Sequence, residues 1–100
     1  MVKHIIIWDF KDELTQAQRA QAAKKIKEEL EGLFGVVEGL QKITVYTQML
    51  PTSNGDLMLE CELESASALE GYASHPEHIK VKKFIETVVK SRKCVDFLIS

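Results

Sequence analysis

From Val2 to Phe10 the chain is β-branched and aromatic, with apolar side chains on both faces of the strand this predicts. His4, Ile6, Trp8 and Phe10 share one face, and Lys3, Ile5, Ile7 and Asp9 share the other. A strand apolar on both sides requires cover on both sides. Lys11-Asp12-Glu13 closes it. Thr15-Gln16-Ala17-Gln18 then has the form of a capping box, and the Ala-, Gln-, Lys- and Glu-rich run behind it predicts a helix. Its apolar positions Ile26, Leu30, Leu33, Phe34 and Val37 have the spacing of one buried stripe. Gly35 and Gly39 mark the release of that helix into a loop.

Leu40 to Met49 predicts a second strand, with Ile43, Val45, Thr47 and Met49 alternating against Lys42, Thr44, Tyr46 and Gln48. Pro51 to Gly55 is a turn signal in which Asn54-Gly55 suits positive φ. Asp56 to Glu64 alternates again, with Leu57, Leu59, Cys61 and Leu63 on one face, as the second arm of a hairpin. Ser65 or Ser67 can cap a short helix in which Leu69, Tyr72 and Ala73 share a face. Past His75-Pro76, the positions Val81, Phe84, Ile85, Val88 and Val89 predict a second long amphipathic helix. Lys80, Lys82, Lys83 and Lys90 form its solvated face. Cys94 to Ile99 reads as the last strand.

The order βαββαβ implies an α+β, ferredoxin-like domain: a four-stranded antiparallel sheet, strand order 4-1-3-2, with helices on one face. Strands 3 and 4 are then separated by strand 1, too far apart for a Cys61 to Cys94 disulfide. The uncovered face carries Ile5, Ile7 and Met58 with charge at its rim, and a second copy of the sheet is the simplest cover.

One hundred residues allow a single domain, 1–100. Thirteen basic and fifteen acidic residues give a formal charge of -2, which argues against nucleic acid or an anionic membrane as partner. The apolar run Ile5 to Trp8, closed by Asp9, is too short for a signal segment or a membrane span. With two distant thiols and no CxxC, the expectation is a reduced, cytoplasmic protein.

Candidate chemistry concentrates in Tyr72-Ala73-Ser74-His75-Pro76-Glu77-His78. Pro76 holds His75 out of the α region, so His75 falls at an N-cap and His78 in the first turn of the following helix. A positive helix terminus favours neutral imidazole at His78, while Glu77 pulls the other way. Strand parity puts His4, Ile6, Trp8, Leu59, Cys61, Cys94 and Asp96 on the helix-covered face, which Tyr72 and His78 approach from the broken helix. Polar groups around an apolar lining are the make-up of a small-molecule pocket. A neutral His78 can take an acidic proton, and a Tyr72 phenol can hydrogen-bond a developing oxyanion.

The spelling Y-x-x-H-P-x-H, together with Val2-Lys3-His4, Phe10-Lys11-Asp12-Glu13 and Asp96, resembles the stress-responsive α/β-barrel family. These are dimeric ferredoxin-like domains that include plant olivetolic acid cyclase. The resemblance implies a homodimeric barrel, catalytic roles for the residues matching Tyr72 and His78, and pocket positions for those matching His4 and Asp96. It also implies a cavity shaped differently from the cyclase's. Ala22, Ala23 and Ile26 stand where the cyclase has aromatic walls, and Lys82 stands in place of a glycine.

Each candidate has an ordinary structural reading as well. His78 can cap its own helix, Tyr72 can be a core aromatic, His75 an N-cap, and His4 and Asp96 a mutually satisfied pair. A metal held by His4, His75 and His78 would lack a clear fourth ligand, so no metal or cofactor is expected. Met58, Glu60 and Glu62 on the open face are the opposite of an RNA-binding surface. Cys61 and Cys94 read as small core residues without a basic neighbour. Three functions remain: a binder of a small apolar or aromatic ligand, an enzyme of the cyclase, lyase or cofactor-free monooxygenase kind, and a structural dimer with no open pocket.

Overall fold

The computed structural model describes all residues from Met1 to Ser100. Seven elements follow in order: β1 (Val2–Phe10), α1 (Gln16–Glu31), β2 (Leu40–Tyr46), β3 (Leu57–Leu63), α2 (Ala66–Ser74), α3 (Pro76–Val88) and β4 (Val89–Leu98). They form one antiparallel sheet, ordered β2-β3-β1-β4, the predicted topology read from its other edge. His4 of β1 stands opposite Cys61 of β3 on one side and Asp96 of β4 on the other.

The helices cover one sheet face, and the core lies between. Ile6, Trp8 and Phe10 of β1 and Leu57, Leu59, Cys61 and Leu63 of β3 are buried there against Ala22, Ala23, Ile26 and Leu30 of α1. The capping box forms as predicted: Gln18 N–H donates to Thr15 Oγ1 at 3.1 Å, and Thr15 N–H donates to Gln18 Oε1 at 2.8 Å. Near the other end of α1, Glu31 accepts from Val45 N–H at 2.9 Å, while Lys27 donates to the Val45 carbonyl at 2.8 Å. Those two side chains satisfy outward backbone groups of the edge strand β2, which would otherwise invite pairing with another chain.

Three boundaries and two local features differ from the sequence expectation. Helix α1 stops at Glu31, where Gly32 N–H folds back to the last carbonyls, so Leu33, Phe34 and Val37 lie in turns. Leu33 and Val37 still reach the core, but Phe34 is 59% exposed. Strand β2 ends at Tyr46 rather than Met49, because its pairing with β3 ends at Tyr46 and Met58. A register shift between Leu40 and Lys42 lets Leu40 share the buried face with Ile43 and Val45 despite opposite parity.

Asn54-Gly55 takes no positive φ, since the β2–β3 link is a long loop tied to β1 by Asp56 N–H to the Trp8 carbonyl and Phe10 N–H to Asp56 Oδ2. Gly55 is required there by proximity: a Cβ would lie 2.5 Å from Ile7 Cγ2. Lastly, β4 begins at Val89, five residues before Cys94, so Val89 and Lys90 belong to a strand. Pairing with β1 outcompetes the helical pattern: Phe10 stands opposite Val89, and Lys11 N–H donates to the Val88 carbonyl at 3.0 Å.

The two positive-φ residues, Gly35 (83°) and Gly39 (84°), allow a clean comparison. A Cβ on Gly35 meets nothing within 4 Å, whereas one on Gly39 would lie 2.6 Å from Ala68 Cβ. Gly35→Ala should cost about 1 kcal/mol from backbone strain alone. Gly39→Ala should cost roughly 1 to 3 kcal/mol more, because overpacking is added. Urea unfolding of the two variants measures the gap, and equal losses would contradict this packing.

Candidate functional site

The inward face of β1 makes the floor of the site. His4, 7% exposed, lies beside Ile6 and Trp8, with Leu59 of β3 next to them. Helix α2 contributes Leu69, Tyr72 and Ala73, and α3 contributes His78, Lys82, Ile85 and Glu86. The first residues of β4, through Arg92, complete the lining of a cavity of about 400 Å³. An open space of that size is within the range of small-molecule cavities.

The helix break positions the reactive groups. Pro76 occupies the first turn of α3, and His75 caps it, its Nδ1 accepting from Glu77 N–H at 3.1 Å. The turn brings His78 back over α2, where its Nδ1–H donates to the Ala73 carbonyl at 3.2 Å. That bond leaves Nε2 as the unprotonated nitrogen of the neutral ring. The His78 ring lies 4.4 Å from the Tyr72 ring, and Tyr72 meets His4 edge-on at 5.9 Å.

Burial is the main force on the charge of His78 and holds its pKa below the usual 6.5. The Ala73 hydrogen bond opposes that shift, and the neighbouring Lys82 and Arg92 charges reinforce it. The shift is toward the neutral ring, and desolvation rather than the helix terminus is its leading cause.

Tyr72 is 1% exposed, and its hydroxyl is buried without a hydrogen-bond partner. Its polar neighbour is the Cys61 thiol, a weak partner without hydrogen-bond geometry. Burial pushes the phenol pKa upward, so Tyr72 remains a protonated donor. The same burial pushes the Cys61 thiol up to about 12, which removes it as a nucleophile at neutral pH.

His4 Nδ1–H donates to Asp96 Oδ1 at 2.5 Å across the β1–β4 pairing. Asp96 is on the helix side, as parity predicts, yet its side chain is 41% exposed because the helices stop short of β4. Cys94, expected in the core, is exposed for the same reason, and its thiol donates to Asp96 Oδ2 at 3.4 Å. Burial raises the Cys94 pKa, with Asp96 adding to the shift.

Six sequence-predicted residues thus meet at one cavity: His4, Ile6, Trp8, Leu59, Tyr72 and His78. Three do not line it. Cys61 is wholly buried beside Tyr72, Asp96 reaches the site through His4, and His75 spends its Nδ1 on its own helix. The metal-capable group here is His4, Cys94 and Asp96, with ligand atoms within 4.8 Å of one another, and not the three histidines. Lys82, which the sequence reading treated as reshaping the cavity, lines it, together with Glu86 and Arg92, which that reading left out. Lys82 follows His78 by one helical turn, and extending the parity of Cys94 and Asp96 back two residues reaches Arg92.

Fold and site together define a ferredoxin-like α+β domain with a histidine- and tyrosine-lined cavity between sheet and helices. The chain belongs to the stress-responsive A/B barrel domain family, whose model matches residues 2–99. It is similar in structure to a dimeric protein of unknown function with a ferredoxin-like fold from Bacteroides fragilis, at 29% identity and TM-score 0.91, over 96% of this chain and 93% of that one. It is also similar to a hydroxynitrile lyase from Passiflora edulis, at 15% identity and TM-score 0.79, over 99% and 93%. A putative antibiotic biosynthesis monooxygenase from Nitrosomonas europaea shares the fold at 10% identity and TM-score 0.77, over 98% and 97%. No match is found among curated proteins. No helix is long and apolar enough to cross a membrane.

Because the folded-state pKa of His78 is depressed, the unfolded chain takes up its proton first as pH falls. The associated stability is present above pH 6.5 and is lost as pH drops through that value toward the folded pKa. An NMR titration should place His78 below 6.5. His78→Gln should flatten the fall in unfolding free energy between neutral and mildly acidic pH, and an unchanged slope would contradict the burial of this ring.

Proposed function

We propose that this protein is a homodimer, paired through its open sheet face, that holds a small apolar or aromatic ligand between sheet and helices. The carrying observation is the cavity itself, in which the His4, Tyr72 and His78 side chains stand among the apolar Ile6, Trp8, Leu59 and Ile85. The Tyr72 hydroxyl is buried without a partner, which is costly in a folded protein, and a small side-chain movement that opened it to a ligand carbonyl or hydroxyl would relieve that cost. The apolar walls favour the rest of such a ligand.

Pairing through the sheet is supported by the face the helices leave open. Ile7, Tyr46, Val95 and Phe97 are between 36% and 50% exposed there, and a dimeric relative shares the fold. Free Cys61 and Cys94 fit a reducing compartment such as the cytoplasm.

A second reading, turnover, is favoured by one observation. With Nδ1 tied to Ala73 and its pKa lowered, His78 has the protonation state of a general base. It would take a C–H or O–H proton through Nε2 while Tyr72 donates a hydrogen bond to the oxyanion that forms. The hydroxynitrile lyase and the putative monooxygenase make an enzyme on this fold a reasonable expectation.

A thermal-shift screen of planar phenols, keto acids and polyketide-like compounds tests the binding reading on wild type, His78→Ala and Tyr72→Phe. A ligand at 100 times its Kd stabilises by about 2.7 kcal/mol. Wild type should shift and both variants should shift less. Ligand-free Tyr72→Phe should match or exceed wild type by up to about 1 kcal/mol, since no hydrogen bond is lost. A panel in which nothing shifts wild type sinks the reading, and product formed by wild type but not His78→Ala would establish turnover. For the dimer, Phe97→Glu should convert a two-subunit species to monomer in analytical ultracentrifugation, and a monomeric wild type would end that part of the proposal.

A further inference from the structure

Three basic side chains and one acidic one line the cavity: Lys82, Lys90 and Arg92 against Glu86. They are not equivalent. Lys90 Nζ lies 2.7 Å from Asp12 Oδ1 and is neutralised there. Lys82 and Arg92 form no ion pair, although Glu86 follows Lys82 by one helical turn. Asp96, which shares the helix side of β4 with Arg92, is engaged by His4.

The two unpaired cations approach from opposite walls. Lys82 is four residues after His78 on α3, so it lies on the same helix face. Arg92 stands opposite Trp8 across the β1–β4 pairing, on the helix side of the sheet. Both charges act on His78, and that of Arg92 also acts on Tyr72. The polar side of an otherwise apolar cavity therefore carries a net positive charge from Lys82 and Arg92, and the depressed pKa of His78 keeps that ring from adding another. Neither cation has a carboxylate within ion-pair distance, so the two like charges with Glu86 leave a net positive charge at the cavity, which an anion would neutralise. A guanidinium presents two parallel N–H donors that match the two oxygens of a carboxylate, while an ammonium adds a point charge.

We propose that the ligand of this cavity is an amphipathic carboxylate, its apolar or aromatic body against Ile6, Trp8, Leu59 and Ile85 and its anionic head held by Arg92 with help from Lys82. The proposal rests on the reading of the cavity as a ligand site and adds the charge class. On this reading Tyr72 and His78 meet a second polar group partway along the ligand, not its head. Turnover would then act on a carboxylate substrate away from its charged end.

The test uses matched pairs that differ only at the head: octanoate and octanamide, and 3-phenylpropanoate and its amide. Binding to the intact protein is measured by calorimetry and by NMR of the His78 ring. In each pair that binds, the carboxylate should bind about tenfold tighter than the amide, and its affinity should fall between 50 mM and 500 mM salt while that of the amide holds. Arg92→Gln should remove most of the preference, Arg92→Lys should keep part of it, and Lys82→Gln should reduce it a few-fold. Both residues are exposed, so the variants should keep the wild-type fold. The bound carboxylate should also raise the His78 pKa, which the amide leaves in place.

Equal binding of both members of a pair, or equal losses for both in Arg92→Gln, overturns the carboxylate inference and leaves the cavity reading standing. Binding of neither member of either pair, beside a neutral compound from the thermal-shift screen that does bind, also overturns this inference alone. If no compound of either kind binds, both readings fall together.

Discussion

The pairing of β1 with β4 is the constraint on which the rest of this molecule depends. It sets His4 against Asp96, Ile6 against Cys94 and Trp8 against Arg92, so the floor of the cavity and its charged edge come from one register. The same pairing draws the chain out of α3 into β4 with no loop between them, and so fixes how far α3 can move from the sheet. A slip of one residue would turn His4, Ile6 and Trp8 to the opposite face and dissolve both core and site.

Against that fixed floor, the break at His75-Pro76 determines what faces it. A continuous helix would carry Tyr72 and His78 on different sides, since six residues advance a helix by well over one and a half turns. The break instead folds His78 over α2, within hydrogen-bond reach of the Ala73 carbonyl and in ring contact with Tyr72. Proline at the first turn and histidine as its cap make that geometry inexpensive, because each supplies what a helix start needs. One group is left unsatisfied in this arrangement, the Tyr72 hydroxyl. Buried polar atoms without partners are uncommon in native proteins, and here the exception belongs to a residue that lines the cavity.

The helices cover three strands and leave the fourth largely uncovered. Consequently β4 is exposed along almost its whole length, on the helix side at Arg92, Cys94 and Asp96 and on the open side at Val95 and Phe97. The first set edges the site with polar groups, and the second continues the apolar surface formed by Ile7 and Tyr46. An apolar sheet face and a polar cavity edge on one strand tie any association of two subunits closely to the cavity.

Local patterns in the chain were enough to determine much of this. The alternation in β1 and β3, the Thr15 capping box and the His75-Pro76 break each act through near neighbours, so topology, core face and the meeting of His4, Tyr72 and His78 were legible without coordinates. Strand parity put Asp96 on that face, and family resemblance added its place at the pocket. Other features are settled only by segments distant in sequence. Helical periodicity runs through Val88-Val89, and only pairing with Phe10 and Lys11 converts Val89 and Lys90 to strand. That conversion brings Arg92 to the cavity and exposes Cys94. The absence of positive φ at Asn54-Gly55 follows from anchoring that loop to β1, and the turn at Leu33 to Val37 follows from a helix ended by Gly32. Periodicity reports which face a residue takes, but burial, charge pairing and the state of a hydroxyl depend on what packs against that face, and tertiary structure alone supplies it.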